Sequence, residues 1–202
     1  PDGRKEAESG LSWRKNTNEN YCGVTSNNRG ADLNRNFSYE WGGVGASTNP
    51  CDATYRGPAP DSEPETRAIR DYMLSLFPDQ RDGGAAPDDT TGIFLDLHTY
   101  GQYVLWPWGY SDNTTPNDAQ LQTLGRKFAY FNGYRPGQTG QDLYNCSGVT
   151  NDFAYGELGI AAYTFEMGTA FFQSCTTFEN TIYPTNLPAL IYAAKVVRTP
   201  YM

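Results

Sequence analysis

Apolar residues recur at regular spacing over the later two thirds of the chain and hardly at all over residues 1–60. A helix is predicted to begin at the capping box Ser62-Glu63-Pro64-Glu65 and to end before Pro78. Its apolar face is formed by Ile69, Tyr72, Met73, Leu76 and Phe77. Residues 1–60 are rich in Asn, Gly, Ser and Pro, which predicts a long ordered loop, and such a loop within a compact domain is usually functional.

The remaining pattern alternates short apolar runs with helical spacing. Strands are predicted at residues 92–98, 103–107 and 160–167, and helices at 116–132, 151–159 and 186–198. Runs of this kind fill a sheet that is buried on both faces. The alternation predicts an α/β fold, and no repeat or composition break divides residues 1–202 into two domains.

Composition and charge exclude several classes of function. Aromatic residues make up 14% of the 202 residues, which is far from the profile of a disordered chain. The net charge is −8 and no basic block occurs, so we expect no nucleic-acid partner. No apolar run reaches the roughly 18 to 20 residues of a membrane span, so we expect no membrane partner.

The four cysteines are isolated, and the chain contains one histidine, so a zinc cluster built on cysteine is disfavoured. Of the three possible connectivities, Cys22–Cys51 and Cys146–Cys175 each close a modest loop and are favoured. Paired thiols indicate a secreted or periplasmic protein. The alternative is four buried free thiols in a cytosolic protein.

Two polar residues lie in predicted apolar strands. His98 ends the first strand, where open α/β sheets place ligands, and Asp96 shares its face and could orient the imidazole or line a pocket. Glu166 ends the third strand, where an unpaired carboxylate is costly, so Arg14 and Arg35 of the first loop are candidate partners. The alternatives are a structural histidine and an acid bonded to a backbone amide.

Several segments, taken in order, resemble the zinc metallocarboxypeptidases of the carboxypeptidase A type, particularly their secreted bacterial branch. They are Ser12-Trp13-Arg14-Lys15-Asn16, Gly30-Ala31-Asp32-Leu33-Asn34-Arg35-Asn36-Phe37, Asp96-Leu97-His98-Thr99-Tyr100, Leu105-Trp106-Pro107-Trp108-Gly109-Tyr110, Leu143-Tyr144-Asn145-Cys146-Ser147-Gly148, Asp152-Phe153-Ala154-Tyr155-Gly156 and Tyr163-Thr164-Phe165-Glu166. The resemblance implies a mixed, mostly buried sheet flanked by helices and a peptide hydrolase that releases C-terminal amino acids.

The same resemblance assigns the chemistry to three residues. His98 would be the last zinc ligand, and Glu166 the general base for the attacking water. Arg14 would stabilise the oxyanion that forms at the scissile carbonyl.

The resemblance also assigns residues to substrate binding. Asn34 and Arg35 would bind the C-terminal carboxylate, and Tyr144 would close over it. Asn151 takes the position that selects the substrate side chain, and neither an apolar nor a basic preference follows from an asparagine there. Asp96 and the net charge would tilt the preference slightly toward basic ends. Tyr100 belongs to the same substrate-binding set, and cis peptides are expected at Thr99–Tyr100 and Pro107–Trp108.

One part of the family pattern is absent. The other two zinc ligands form a His-x-x-Glu motif upstream of the Trp-Arg-Lys block, which this chain cannot supply. Since Pro1-Asp2-Gly3 resembles the end of the family's Asn-Pro-Asp-Gly turn, residues 1–202 are interpreted as the C-terminal two thirds of a catalytic domain without its N-terminal strands, inactive alone. Strand 93–98 would then need cover from the missing segment as a separate chain, or from a dimer partner.

Two other functions are compatible with parts of the sequence. The first is a metal-free module that uses Arg14, Asn34, Arg35 and Tyr144 to bind C-terminal carboxylates without hydrolysing peptides. The second is a glycosidase with Asp96 and Glu166 as paired carboxylates, which leaves the Asn-Arg-Asn loop without a role.

Overall fold

A computed structural model of the chain describes residues 2–202, so the expectation at Pro1 lies outside the described residues. The helices are α1 (Asp2–Glu8), α2 (Pro64–Leu76), α3 (Asp118–Asn132), α4 (Thr139–Asp142), α5 (Thr150–Leu158), α6 (Cys175–Thr177) and α7 (Tyr183–Val196), with a short 3₁₀ helix at Leu33–Arg35 and a π-helical turn at Phe178–Ile182. The strands are β1 (Ile93–His98), β2 (Tyr103–Trp106), β3 (Arg135–Gln138) and β4 (Ala161–Glu166).

The four strands form one mixed sheet in the order β1-β4-β2-β3. β1 is parallel to β4, β2 is antiparallel to β4, and β3 is parallel to β2. Every residue of β4 is buried, as expected for a strand with neighbours on both sides and helices on both faces. The prediction of an α/β fold with a mixed, mostly buried sheet is confirmed.

Alternation along β4 places helices on opposite faces of the sheet. The hydroxyl of Tyr163 donates to the carbonyl of Leu121 in α3, at 2.9 Å. The next residue, Thr164, accepts a hydrogen bond from Asn151 in α5, at 2.6 Å. Because successive strand residues point to opposite faces, α3 and α5 cover the two sides of the sheet. The face under α5 is the one that carries Thr164 and Glu166.

The predicted capping box at the start of α2 does not form. Glu63 is the N-cap and makes no side-chain cap bond, and the Ser62 hydroxyl donates to the Glu63 carboxylate instead. Glu63 is fully buried and accepts further hydrogen bonds from Asn16, Asn18 and Tyr21. This carboxylate therefore anchors the first loop to α2.

The predicted apolar face of α2 is mostly not buried. Met73 is buried, but Ile69, Tyr72 and Leu76 are 46%, 62% and 53% exposed. On the sheet, β1 is an edge strand in the part of the chain described, and Leu97 on it is 48% exposed. Apolar groups on α2 and β1 are thus open to solvent in residues 2–202.

One predicted disulfide forms and the other does not. Cys22 is bonded to Cys51, as predicted. The prediction of Cys146–Cys175 is wrong, since both thiols are free. Cys146 is buried, whereas Cys175 is exposed at the start of α6, so the two lie in different environments. Within residues 2–202 no helix combines the length and the apolar character that crossing a lipid bilayer requires.

Candidate active site

All eight residues predicted for the site line one cavity of about 290 Å³. They come from six separate segments of the chain. They are Arg14, Asn34, Arg35, His98, Tyr100, Tyr144, Asn151 and Glu166. The structure thus brings these eight residues together, and the role of each stays a prediction.

The register of two parallel strands brings His98 and Glu166 together. They are direct partners at the carboxyl ends of β1 and β4, and the imidazole Nδ1 lies 3.7 Å from the carboxylate Oε1 of Glu166. Asp96, two residues earlier on the same face, lies 3.0 Å through Oδ2 from Nε2 of His98. Asp96 thus contacts Nε2 of the imidazole, and Nδ1 is the nitrogen that faces Glu166.

Burial and charge shift both titrating groups of this pair. Burial lowers the pKa of His98, but the hydrogen bond and charge of Asp96 and the charge of Glu166 outweigh it, so the pKa lies above its ordinary value. Burial raises the pKa of the Glu166 carboxyl, and the positive charge of His98 only partly offsets this. A carboxyl whose pKa is raised in this way is suited to proton transfer.

Arg14 is held at the cavity by a buried acid. Its Nε donates to Oδ2 of Asp32, at 2.8 Å, and its side chain is 41% exposed. Burial lowers the pKa of the Arg14 guanidinium, but Asp32 outweighs burial and raises it. The predicted ion pair between Glu166 and an arginine of the first loop does not form, because Arg14 pairs with Asp32 instead.

The amide of Asn34 has a fixed orientation. Its Oδ1 accepts two hydrogen bonds from Thr150, one from the backbone N–H and one from the hydroxyl, each at 2.9 Å. A backbone N–H can only donate, so the oxygen must face Thr150. Nδ2 is therefore the atom of this amide that remains for a ligand in the cavity.

Arg35 is a buried cation, only 2% exposed. Its Nε donates to the carbonyl of Gly45, at 2.9 Å, and Nη1 donates to the carbonyl of Asn34. Within residues 2–202 no acid lies within salt-bridge distance of this guanidinium. Burial of a charge without a counter-charge is costly, so this group is suited to an anionic ligand.

Two aromatic residues border the cavity and are partly open to solvent. Tyr144 is 50% exposed and follows α4. Tyr100 is 47% exposed and packs edge-on against Phe171, with ring centroids 4.8 Å apart. The two cis peptide bonds expected next to the site, at Thr99–Tyr100 and Pro107–Trp108, are both present.

Asn151 lies in the cavity wall on the first turn of α5 and is 4% exposed. Asp96 does not reach the wall, because its carboxylate is engaged with His98. The sequence-based reading missed Thr164, which binds Asn151, and Cys146, which is buried in the wall. Thr164 could have been identified from strand period alone, since it lies two residues before Glu166 and so on the same face.

The donor set for a zinc ion is incomplete in the part of the chain described. No group of three His, Cys, Asp or Glu side chains among residues 2–202 is arranged to hold a metal ion. Zinc sites need three or four protein ligands, and His98 contributes a single imidazole. These residues by themselves therefore do not fit a zinc ion, and any complete site requires ligands from elsewhere.

The cavity joins a carboxylate–imidazole pair to an anion site. Glu166 and His98 lie at the ends of β4 and β1, and Arg35 and the Nδ2 of Asn34 come from the 3₁₀ helix at 33–35. Such an arrangement can bind a carboxylate at one point and place a base beside it.

Curated proteins similar to this chain are carboxypeptidases. Human carboxypeptidase O is 36% identical over 162 residues, which make up 77% of this chain and 39% of that protein. Carboxypeptidase B of Astacus astacus is 32% identical over 180 residues, or 86% of this chain and 55% of that protein. The chain thus spans between about two fifths and just over half of these two relatives.

Solved structures lead to the same fold. The structure of bovine thrombin-activatable fibrinolysis inhibitor, in complex with tick carboxypeptidase inhibitor, matches with a TM-score of 0.76 at 26% identity. The match covers 92% of this chain and 62% of the bovine chain. Carboxypeptidase A from Helicoverpa armigera matches with a TM-score of 0.77 at 24% identity, over 98% of this chain and 49% of that protein's chain. At this identity the match shows a shared fold only. The family model described as zinc carboxypeptidase matches residues 1–187. The chain belongs to the zinc carboxypeptidase family.

Proposed function

We propose that this chain carries the carboxylate-binding and base-providing part of a zinc-dependent carboxypeptidase, which removes C-terminal amino acids from peptides. The observation that carries the proposal is Arg35, a buried guanidinium with no acidic partner in residues 2–202, beside an Asn34 amide fixed to donate. A free C-terminal carboxylate supplies the missing negative charge and accepts from both groups. An internal peptide bond offers no such charge, which explains cleavage at chain ends.

The remaining cavity residues act on the bond next to that carboxylate. Glu166, whose pKa is raised by burial, takes a proton from the attacking water and passes it to the leaving amine. Arg14, held by Asp32, donates to the oxygen that gains negative charge. Tyr144 covers the bound end, and Tyr100 contacts the peptide that precedes it.

Zinc dependence is part of the proposal. His98 would be one ligand, and the other two would come from residues outside 2–202. When bound, zinc would polarise the scissile carbonyl. We accordingly propose that residues 1–202 are the C-terminal part of a catalytic domain and that this part binds chain ends without hydrolysing them.

The open edge of β1 supports this interpretation. An exposed strand edge that carries an exposed apolar side chain, such as Leu97 on β1, invites strand pairing. We propose that the missing N-terminal segment, as the same chain or a separate one, pairs with β1. The relatives reported above are eukaryotic, so the secreted bacterial branch stays a prediction. Secretion or a periplasmic location is supported by the Cys22–Cys51 disulfide.

The proposed function is tested on the protein encoded by the whole coding region that contains these residues. Purified protein is incubated with an acylated dipeptide and with its C-terminal amide, and released amino acid is measured together with bound zinc. We expect release from the free acid only, zinc at one per protein, and loss of release but not of binding in Glu166→Gln. Equal release from the amide contradicts the proposal.

A second candidate function is a metal-free module that binds C-terminal carboxylates. It is favoured by one observation, the lack of a complete set of metal ligands among residues 2–202. It predicts carboxylate binding with no zinc and no amino-acid release from the protein with its natural N-terminus. The same two measurements therefore separate it from the peptidase.

A further inference from the structure

We propose that the groove between α3 and α7 binds an acidic peptide segment of another protein, with apolar side chains of the peptide in the groove and its carboxylates against nearby basic residues. The groove has a volume of about 860 Å³ and shares no lining residue with the active-site cavity. It lies on α3, which covers the face of the sheet opposite to the one that carries Thr164 and Glu166. The inference is therefore independent of the proposed function.

Four basic residues of α3, α7 and the turn after α7 differ from the other basic residues of the chain. Among residues 2–202, eleven of the fifteen basic side chains donate a hydrogen bond to an acid or to a backbone carbonyl. The other four donate none and form no ion pair, and all four are exposed. They are Arg126, Lys127, Lys195 and Arg198. Their charges are available to a ligand.

The two helices contribute little opposing charge. Residues 118–132 and 183–202 include one acid, Asp118, and it does not line the groove. The rest of the chain holds the other 22 of the 23 acids. One of these, Asp88, contacts the groove wall, where it accepts a hydrogen bond from Gln120, at 3.3 Å. A chain of net charge −8 thus carries a local surplus of positive charge at this groove, which attracts an acidic partner.

The walls of the groove are mostly apolar. Leu124, Tyr130, Tyr192 and Val196 line it, and Tyr130 is 78% exposed. Nζ of Lys127, which also lines the groove, lies 5.0 Å from the ring centroid of Tyr130 and 5.6 Å from that of Tyr192. The unpaired positive charge and the open apolar surface therefore occur at the same place. Grooves that combine the two are typical of sites that bind peptides.

A peptide uses both properties of the groove, whereas other anions use only one. Carboxylates accept charged hydrogen bonds from Lys127 and Arg126. Apolar side chains of the same peptide remove the surfaces of Tyr130 and Leu124 from water. A sulfated polysaccharide would pair with the basic residues and leave the apolar walls exposed. An anionic membrane surface is flat and does not enter a groove between two helices. The groove therefore favours a segment that is both acidic and apolar.

The test uses the 202-residue chain and peptides with an amidated C-terminus, which offer no terminal carboxylate to the active-site cavity. The first decapeptide contains four glutamates, four leucines and two glycines. The second has lysine in place of every glutamate, the third has serine in place of every leucine, and a sulfated hexasaccharide is the non-peptide anion. Affinities are measured by calorimetry. We expect the first peptide to bind at least about tenfold more tightly than each of the other three ligands.

Substitutions at exposed residues locate the binding. Lys127→Glu should weaken binding of the first peptide about tenfold, because an attraction becomes a repulsion. Tyr130→Ser should weaken it about fivefold, because apolar surface in the groove is lost. Lys5→Glu makes the same change of charge at an exposed lysine of α1 and should alter the affinity by less than about twofold.

Four results would overturn the inference. The first is equal binding of the lysine and glutamate peptides. The second is binding of the serine peptide or the hexasaccharide as tightly as the first peptide, since the apolar walls would then play no part. The third is an equal loss of affinity in Lys5→Glu and Lys127→Glu, which would indicate an effect of net charge. The fourth is no measurable binding of the first peptide. None of these affects the proposed function, which is tested with ligands that carry a free C-terminal carboxylate.

Discussion

Asn34 and Thr150 are separated by 116 positions in the sequence, yet the amide oxygen of Asn34 accepts hydrogen bonds from both the backbone N–H and the hydroxyl of Thr150. This contact joins the long first loop to the start of α5. It also decides which atom of the Asn34 amide faces the cavity. The anion site is therefore built from two distant segments and depends on both.

Replacing Thr150 by valine, which has the same shape, should weaken carboxylate binding. The variant keeps the backbone N–H but loses the hydroxyl donor, worth about 0.5 to 1.5 kcal/mol, so the Asn34 amide is held less firmly. We expect affinity for N-acetyl-L-asparagine to fall between about twofold and tenfold. Calorimetry measures this, and Thr150→Ser, which keeps the donor, is the matched control. Equal affinities of the valine and serine variants for this ligand would show that the Thr150 hydroxyl does not contribute to carboxylate binding.

Removing the Cys22–Cys51 disulfide should lower the free energy of unfolding. The bond joins residues 29 positions apart. Loop-closure entropy for a loop of this length is worth about 3 to 4 kcal/mol. Urea unfolding of the Cys22→Ala, Cys51→Ala double variant measures the loss. The control variant Cys175→Ser should leave the free energy of unfolding unchanged. If the double variant and Cys175→Ser lose the same free energy of unfolding, the loss is not due to the disulfide.

The two free thiols should differ sharply in reactivity. Burial raises the pKa of Cys146 to about 11, so very little thiolate is present at pH 8, whereas Cys175 is exposed. We expect a thiol reagent to label one cysteine quickly in the folded chain and a second only after unfolding. Mass spectrometry should place the fast label on Cys175. If the unfolded, unreduced chain contains no free thiol, Cys146 and Cys175 are bonded to each other and the finding of two free thiols is wrong.

Ionisation of Asp152 should make the chain less stable as the pH rises. Burial raises the pKa of this carboxyl from 3.8 to about 7, although the backbone N–H groups of Gly109 and Tyr110 donate to it and lower it. Because the folded-state pKa is the higher one, the stabilisation is complete below pH 3.8 and is lost as the pH rises to about 7.

The predicted loss from this carboxyl over that range is about 4 kcal/mol. Urea unfolding at pH 5 and pH 8 should show about 2.6 kcal/mol of it, because the unfolded carboxyl is already ionised at pH 5 and part of the loss has occurred there. Asp152→Asn is the non-titrating control. The difference in stability between the two proteins should shift in favour of the asparagine variant at pH 8. A difference that does not change with pH would show that Asp152 is already ionised at pH 5.

Local pattern was sufficient for the elements that carry the site. The pattern predicts β1 and β4 because each is a short apolar run, and it marks His98 and Glu166 as candidates because a polar residue at the end of such a run is costly. The family resemblance then grouped Arg14, Asn34 and Arg35 with them. Those residues lie in a loop whose geometry depends on Glu63 and on contacts that no short pattern encodes.

Features that depend on distant neighbours were missed. β3, with the sequence Arg-Pro-Gly-Gln, has no strand-like alternation and forms because it pairs with β2. The amphipathic pattern of α2 predicted a buried face, but residues 2–202 provide little to cover Ile69 or Tyr72. The wrong Cys146–Cys175 pairing arose from loop length alone, which carries no information on where each thiol lies.

The central claim is that the cavity binds a free C-terminal carboxylate through Arg35. The most direct measurement is a calorimetric titration of the chain with N-acetyl-L-asparagine and with its C-terminal carboxamide, repeated on Arg35→Gln. We predict that the acid binds, that the carboxamide binds at least about tenfold more weakly because charged hydrogen bonds are lost, and that Arg35→Gln abolishes the difference. Equal binding of acid and carboxamide to the unaltered chain would contradict the claim.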